Sequence, residues 1–188
     1  MIRSRLFLTL LLLAAALPGC SPRATSYINP AVDFSFIRRV AIFPFQNLSA
    51  DHKAPARISS IFLSELLEHD GLIVLAPGET LSVLQDMKLG SAEVLSEDQI
   101  VELGRRLDVN AVFFGTVEEY GLEQLGRDRS FALTVSFSMA ETATGSLIWN
   151  SQVYQGGVSV WRKLFGGGTP APYHVSRKAV RQALETLF

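Results

Sequence analysis

Nine consecutive residues constrain this chain more than any others. Phe131, Leu133, Val135, Phe137 and Met139 alternate without a break with Ala132, Thr134, Ser136 and Ser138. Period two is the repeat of a β-strand, so these residues form a strand with one buried apolar face and one small, polar face. Turn chemistry follows from Thr142 to Gly145, and Leu147 to Gln155 (LIWNSQVYQ) returns as a hairpin partner. A hairpin with one greasy side needs further strands or helices to cover it.

The preceding residues supply them. Arg39 to Phe45 (RVAIFPF) reads as a buried strand ending at Pro44, and Asn47 to Asp51 as a turn rich in helix caps. From Ala54 to His69, Ile58, Ile61, Phe62, Leu66 and Leu67 recur at helical spacing, with Pro55 in the first turn; Asp70 and Gly71 end the helix. Leu72 to Leu75 is a short apolar strand. Glu79 to Lys88 reads as a short helix burying Leu81, Leu84 and Met87. Ser96 and Gln99 form a capping box for a third helix, which runs to about Leu107. Ala111 to Tyr120 is a strand, in which Gly115 marks a bulge or a close backbone contact. After a glycine-rich loop from Gly156 to Tyr173, a last helix places Val175, Ala179, Ala183, Leu184 and Leu187 on one side. The order β-α-β-α-α-β-β-β-α gives the expected fold class: α/β (α+β), a single domain over residues 34–188 with a mixed β-sheet flanked by helices and no internal repeat.

The amino terminus has a different character. Arg3 and Arg5 precede an apolar run from Leu6 to Leu17 (LFLTLLLLAAAL), the layout of a secretion signal. Twelve residues are too few to span a bilayer, which takes about 20. Leu17, Gly19 and Cys20 look like a bacterial lipobox, at which the chain's only cysteine is lipidated and becomes the first mature residue. An exported protein with one free thiol is an oddity where disulfides form in pairs. A thioether to diacylglycerol removes it. Residues 1–19 are thus expected to be a signal peptide, and residues 20–33 the lipidated Cys20 and a flexible tether spanning at most roughly 45 Å. Two or three acyl chains hold a protein firmly to a membrane. Ser21, rather than Asp, after the cysteine implies delivery to the outer membrane, with the domain facing the periplasm.

Loss of Arg3 and Arg5 leaves 15 of the 17 basic residues against 18 acidic ones. A mildly acidic chain without a basic stripe is a poor match for nucleic acid. No nucleophile with a base, paired carboxylates or metal-ligand spacing stands out, so no catalytic residue and no metal site is expected, and no cofactor beyond the covalent lipid on Cys20. His52, His69 and His174 are far apart and read as helix-end residues. Glu118 and Glu119 read as a solvated strand edge. Gly166 to Gly168 lacks the Lys-Ser or Lys-Thr of a phosphate loop, and Asn47-Leu48-Ser49 reads as capping rather than glycosylation. Trp161, Leu164 and Phe165, beside Arg162 and Lys163, have two readings: aromatics folded back onto the sheet, or a knob that contacts lipid or a partner protein.

Taken in order, RVAIFPFQNLS, GLIVLAP, ELGRRLDVNAVFFGTVEEYG and SFALTVSFSMAETATGSLIWNSQVYQGG resemble the bacterial lipoproteins that share a domain with the curli secretion lipoprotein CsgG, the TolB amino-terminal domain and the penicillin-binding-protein activator LpoB. Leu107-Asp108-Val109 departs from the Leu-Gly-Ala of many relatives, so that helix end is expected to be capped differently. The resemblance implies a non-enzymatic, outer-membrane-anchored lipoprotein that binds or scaffolds envelope components, with other envelope proteins or further copies of itself as partners. A CsgG-like secretion subunit is the alternative, although the link from Gly121 to Arg129 is too short for an added membrane hairpin. An LpoB-like synthase activator needs a longer tether than this one, and a periplasmic hydrolase lacks any supporting constellation.

Overall fold

A computed structural model describes residues 24–90, 94–125, 128–156 and 170–188. Cys20, Trp161, Leu164 and Phe165 lie outside them. In chain order the described elements are β1 (Thr25–Ile28), β2 (Arg39–Ile42), β3 (Gln46–Asn47), α1 (Ala54–Leu66), β4 (Ile73–Val74), α2 (Pro77–Asp86), α3 (Glu97–Leu107), β5 (Ala111–Leu125), β6 (Asp128–Glu141), β7 (Leu147–Gln155) and α4 (Pro172–Leu184). The seven strands form one mixed sheet of order β1-β7-β6-β5-β2-β4, with β3 continuing beside β5. Contacts of β2 with β4 and β5 are parallel, and those among β5, β6, β7 and β1 are antiparallel. The α+β class is as expected.

The alternating residues of β6 sit at the centre. Phe131, Leu133, Val135, Phe137 and Met139 all face the layer formed by α1 and α4 and are buried there with Val40, Ile42, Phe113 and Trp149. Phe62 of α1 anchors that layer. It stacks on Phe137 at 4.8 Å and meets Phe45 and Phe113 edge-on at 5.6 and 5.3 Å. Burial of a phenylalanine of this kind stabilises by about 1.5–3 kcal/mol, and ring geometry adds to it.

Alternation sends Ala41, Phe43 and Val112 through to the other face, where Leu84 of α2 and Leu103 and Leu107 of α3 cover them. Helix α3 starts with the expected capping box, in which Ser96 Oγ accepts from Gln99 N–H and the Gln99 side chain accepts from Ser96 N–H. It ends on Asp108, which takes the left-handed conformation (φ 53°, ψ 53°) that glycine occupies in many helix ends. Gly104 of the same helix lies flat on Thr142, and a Cβ at that position would fall 2.2 Å from the Thr142 Cβ.

Several expectations need correction. The tether was expected to reach Asp33, yet Thr25–Ile28 is a strand paired with β7 from Thr25↔Gln152 to Ile28↔Trp149. All four of its residues are exposed, so its apolar pattern carries no sign of burial, and backbone pairing alone places it. Of the link from Gly121 to Arg129, Gly121 to Leu125 and Asp128 to Arg129 are likewise strand: β5 and β6 stay paired out to Leu125↔Asp128. Helix α1 stops at Leu66, three residues early, and α2 starts at Pro77 with Thr80 and Leu84 inward, leaving Leu81 47% exposed. At the other end α4 begins at Pro172, inside the stretch expected to be loop.

Helices α1 and α4 are clamped by charge. Glu65, 4% exposed, accepts from the guanidiniums of both Arg177 and Arg181, which also reach Glu68 at 3.1 and 3.0 Å. Burial pushes the Glu65 carboxyl up, but the hydrogen bonds and charges of Arg181 and Arg177 outweigh it and hold the group below the usual carboxylate range.

Candidate functional site

Helices α2 and α3 cover only part of their face of the sheet. They pack over the start of β5, β2 and β4. Over the rest of that face no helix lies, and Thr116, Glu118, Thr134, Ser136, Ser138 and Gln152, between the inward residues of β5, β6 and β7, stay half-buried or exposed.

Those residues are polar and joined across strands. A bulge between Val117 and Glu119 shifts the register of β5 against β6. It lets two successive carboxylates lie on one face, which strict alternation forbids. Glu118 accepts from the Ser136 hydroxyl on β6 and from Gln152 Nε2 on β7, the latter at 3.0 and 3.1 Å. Glu119 accepts from Thr134 Oγ1 at 2.9 Å, and the Tyr154 hydroxyl donates to Glu123 at 3.2 Å. Burial raises the Tyr154 phenol above its ordinary value, and the Glu123 charge raises it further, so it stays a donor. Glu118 and Glu119 therefore belong to the sheet interior and not to a strand edge.

Two clefts flank this ladder. The larger, about 370 Å³, lies where α3 meets the sheet and is lined by Phe43, Pro44, Leu95, Ile100, Phe114 and Leu147, with Gln46, Glu97, Thr116 and Ser138 at its rim. Phe43 and Phe114 form its floor, their rings 5.3 Å apart. Gly115 is required beneath it, since a Cβ there would fall 2.7 Å from the Phe45 ring. The expected close contact at Gly115 is thus present, while the bulge lies two residues further on. The second cleft, about 310 Å³, is shallow and bounded by Leu48, Ser49, Leu122, Ala132 and the carboxylates Glu118, Glu119 and Glu123.

Neither cleft is lined by a histidine or cysteine. His69 stacks on Phe188 at 4.3 Å and His174 lies against Tyr173, both remote from the ladder. Among the described residues no three His, Cys, Asp or Glu side chains come together to hold a metal ion, and no helix is long and apolar enough to cross a membrane. Asn47 and Ser49 form a turn before α1: Asn47 Oδ1 accepts from Ser49 N–H at 3.0 Å, and Asp51 Oδ1 accepts from Lys53 N–H at 2.8 Å. What the open face offers is acceptors and donors in rows, beside an apolar slot: the makings of a binding surface.

The same arrangement of sheet and helices occurs in a solved PelC dodecamer from Paraburkholderia phytofirmans, with a TM-score of 0.60 and 18% identity over 87% of this chain and 97% of that one. In fold, this chain is similar to PelC. Lipoprotein GNA1162 from Neisseria meningitidis matches at a TM-score of 0.58 and 16% identity, over 79% of this chain and 99% of that one. The LpoB C-terminal domain from Escherichia coli is a looser likeness, at 0.47 and 14% over 65% of this chain and 82% of that one. No protein-family model and no curated protein matches the sequence. At these identities the likeness to PelC and GNA1162 is one of fold alone.

The ladder was hidden in sequence. Its signal was the polar half of the alternation, Thr134, Ser136 and Ser138, set against Gln152 and Tyr154 in the returning strand.

Proposed function

We propose that this chain is a non-enzymatic lipoprotein, held in the outer membrane by lipid on Cys20 and facing the periplasm, that assembles with copies of itself and binds other envelope components. The observation that carries the reading is the half-covered sheet: a wide, hydrogen-bonded polar face beside an apolar slot. Similarity of fold to PelC, solved as a dodecamer, and to lipoprotein GNA1162 supports self-assembly and anchorage. Trp161, Leu164 and Phe165 are the residues proposed to touch membrane or partner.

The CsgG-like alternative draws on the same dodecamer. It needs strands of about 9–11 residues to cross a membrane. Past Tyr120, β5 supplies only Gly121 to Leu125. An LpoB-like reach is weakened further, because β1 takes up part of the tether.

The test is crosslinking in membrane extracts of the lipidated protein beside Cys20→Ala and a Trp161→Ala, Phe165→Ala double variant. A defined partner or homo-oligomer that depends on Cys20 supports the reading. A protein that is monomeric, partnerless and unmodified at Cys20 overturns it and reopens an enzymatic or carrier role.

A further inference from the structure

One edge of the sheet is built to be continued. Just past β1 the backbone N–H of Asn29 donates to Ile148 O, so Asn29 and Ile148 are a hydrogen-bonded pair. Such pairs alternate along an antiparallel ladder, and the register therefore makes Tyr27↔Asn150 and Thr25↔Gln152 the next ones. Their backbone groups are spent on β7. Those of Ser26 and Ile28 point the other way, and β1 is the last strand of the sheet among the described residues.

Exposed edges are normally blunted by a charge, a proline or a bulge. Between Ala24 and Asn29 there is none of these, and Pro30 comes only after the strand. Thr, Tyr and Ile favour extended backbone. Tyr27 and Ile28 are 53% and 41% exposed. The opposite edge, β4, has two residues and is a poor template.

We infer that β1 pairs antiparallel with β1 of a second copy, about a two-fold axis through Tyr27, joining the two sheets into one. The occupant follows from symmetry. The outward groups of Ser26 and Ile28 lie on either side of Tyr27, so Ser26 of one copy meets Ile28 of the other and all four groups on each strand find partners. No charged residue lies within the strand to be set against its own copy. Tyr27 lies on the side of Asn150, so the two Tyr27 rings meet as a cross-strand pair. The axis is perpendicular to the sheet, so the ladders of both copies end on one continuous face. This inference rests on the self-assembly proposed above and names its surface.

The test uses the full lipidated chain in detergent. Under mild oxidation Tyr27→Cys is expected to give a reducible species of twice the mass, because the two positions face each other in a non-hydrogen-bonded pair. Thr25→Cys, opposite Asn29 of the other copy, is expected to give none. The wild-type chain controls for Cys20. Ser26→Pro removes one outward N–H and none directed at β7, and is expected to halve the mass by light scattering with an unchanged circular dichroism spectrum. If that variant loses its fold, the cysteine pair decides alone. A wild-type monomer at 100 μM, roughly a hundred times a micromolar dissociation constant, overturns both self-assembly and this edge. A wild-type oligomer in which Tyr27→Cys does not crosslink, or Thr25→Cys crosslinks equally, overturns the edge alone.

Discussion

Glu118 on β5 accepts hydrogen bonds from Gln152 on β7, two strands away, with Ser136 of the intervening β6 bonded to the same carboxylate. One side chain thus straps three strands together on the part of the sheet face left open by α2 and α3. These groups are reachable by water, so the strap is worth little to folding. Glu118→Lys is expected to cost no more than about 1 kcal/mol in urea denaturation. If the open face is the binding surface, the same variant loses crosslinking to its envelope partner; retention would move the surface elsewhere.

Gly104 and Thr142 make the opposite kind of contact, apolar and without slack. A Cβ at position 104 would overlap the Thr142 side chain at 2.2, 2.5 and 2.8 Å. Thr142 cannot swing aside freely, since its hydroxyl donates to Val109 O. Gly104→Ala is expected to destabilise by about 1–3 kcal/mol through overpacking, a fall in Tm of about 2–12 °C for a domain of this size. A variant within 1 °C of wild type would mean that α3 shifts without cost.

The Glu65 clamp gives a dependence on pH. Its carboxyl is depressed in the folded chain, so its stabilisation is in full force above the unfolded value near 4.5 and is lost as pH falls through the lower folded value. Glu65→Gln is expected to flatten the decline in Tm below pH 4.5. Glu65→Ala at pH 7 is expected to cost about 1–3 kcal/mol, short of the 3–5 of a stranded buried charge, because Arg177 and Arg181 are 36% and 49% exposed and rehydrate.

Asp108 ends α3 in a left-handed conformation that costs an ordinary residue about 1–2 kcal/mol. Arg39 Nε donates to the Asp108 backbone oxygen at 2.7 Å, a bond that any residue here keeps, while the ion pair to its carboxylate is 3.5 Å long and exposed. Asp108→Gly is therefore expected to be neutral or stabilising by up to about 1 kcal/mol in thermal melts. Asp108→Val is expected to destabilise.

Sequence made the helix-covered half of the molecule legible. Phe137 and Val135 had to alternate and Phe62 had to recur at helical spacing, because burial selects apolar residues at fixed intervals. Where burial ends, the pattern ends with it. Thr25–Ile28 is exposed on both faces and Gly121 to Gln124 largely so, and backbone pairing leaves no periodic trace. The bulge at Val117 escaped for a related reason: it aligns Glu118 and Glu119 on one face, but as neighbours in sequence they read as opposite faces or a frayed end. Gln152 was equally silent, since only the register brings it to Glu118.

Strand β1 begins at Thr25, five residues after Cys20. Fully extended, those five steps cover at most about 18 Å, less than half the 45 Å that a free tether to Asp33 would give. With lipid on Cys20 as proposed, the protein is moored by a rope shorter than its own sheet is wide. It cannot roam or turn over at will. The strand nearest the membrane is then also the edge that a second copy joins, so neighbours drifting in the leaflet meet with that edge already at one height.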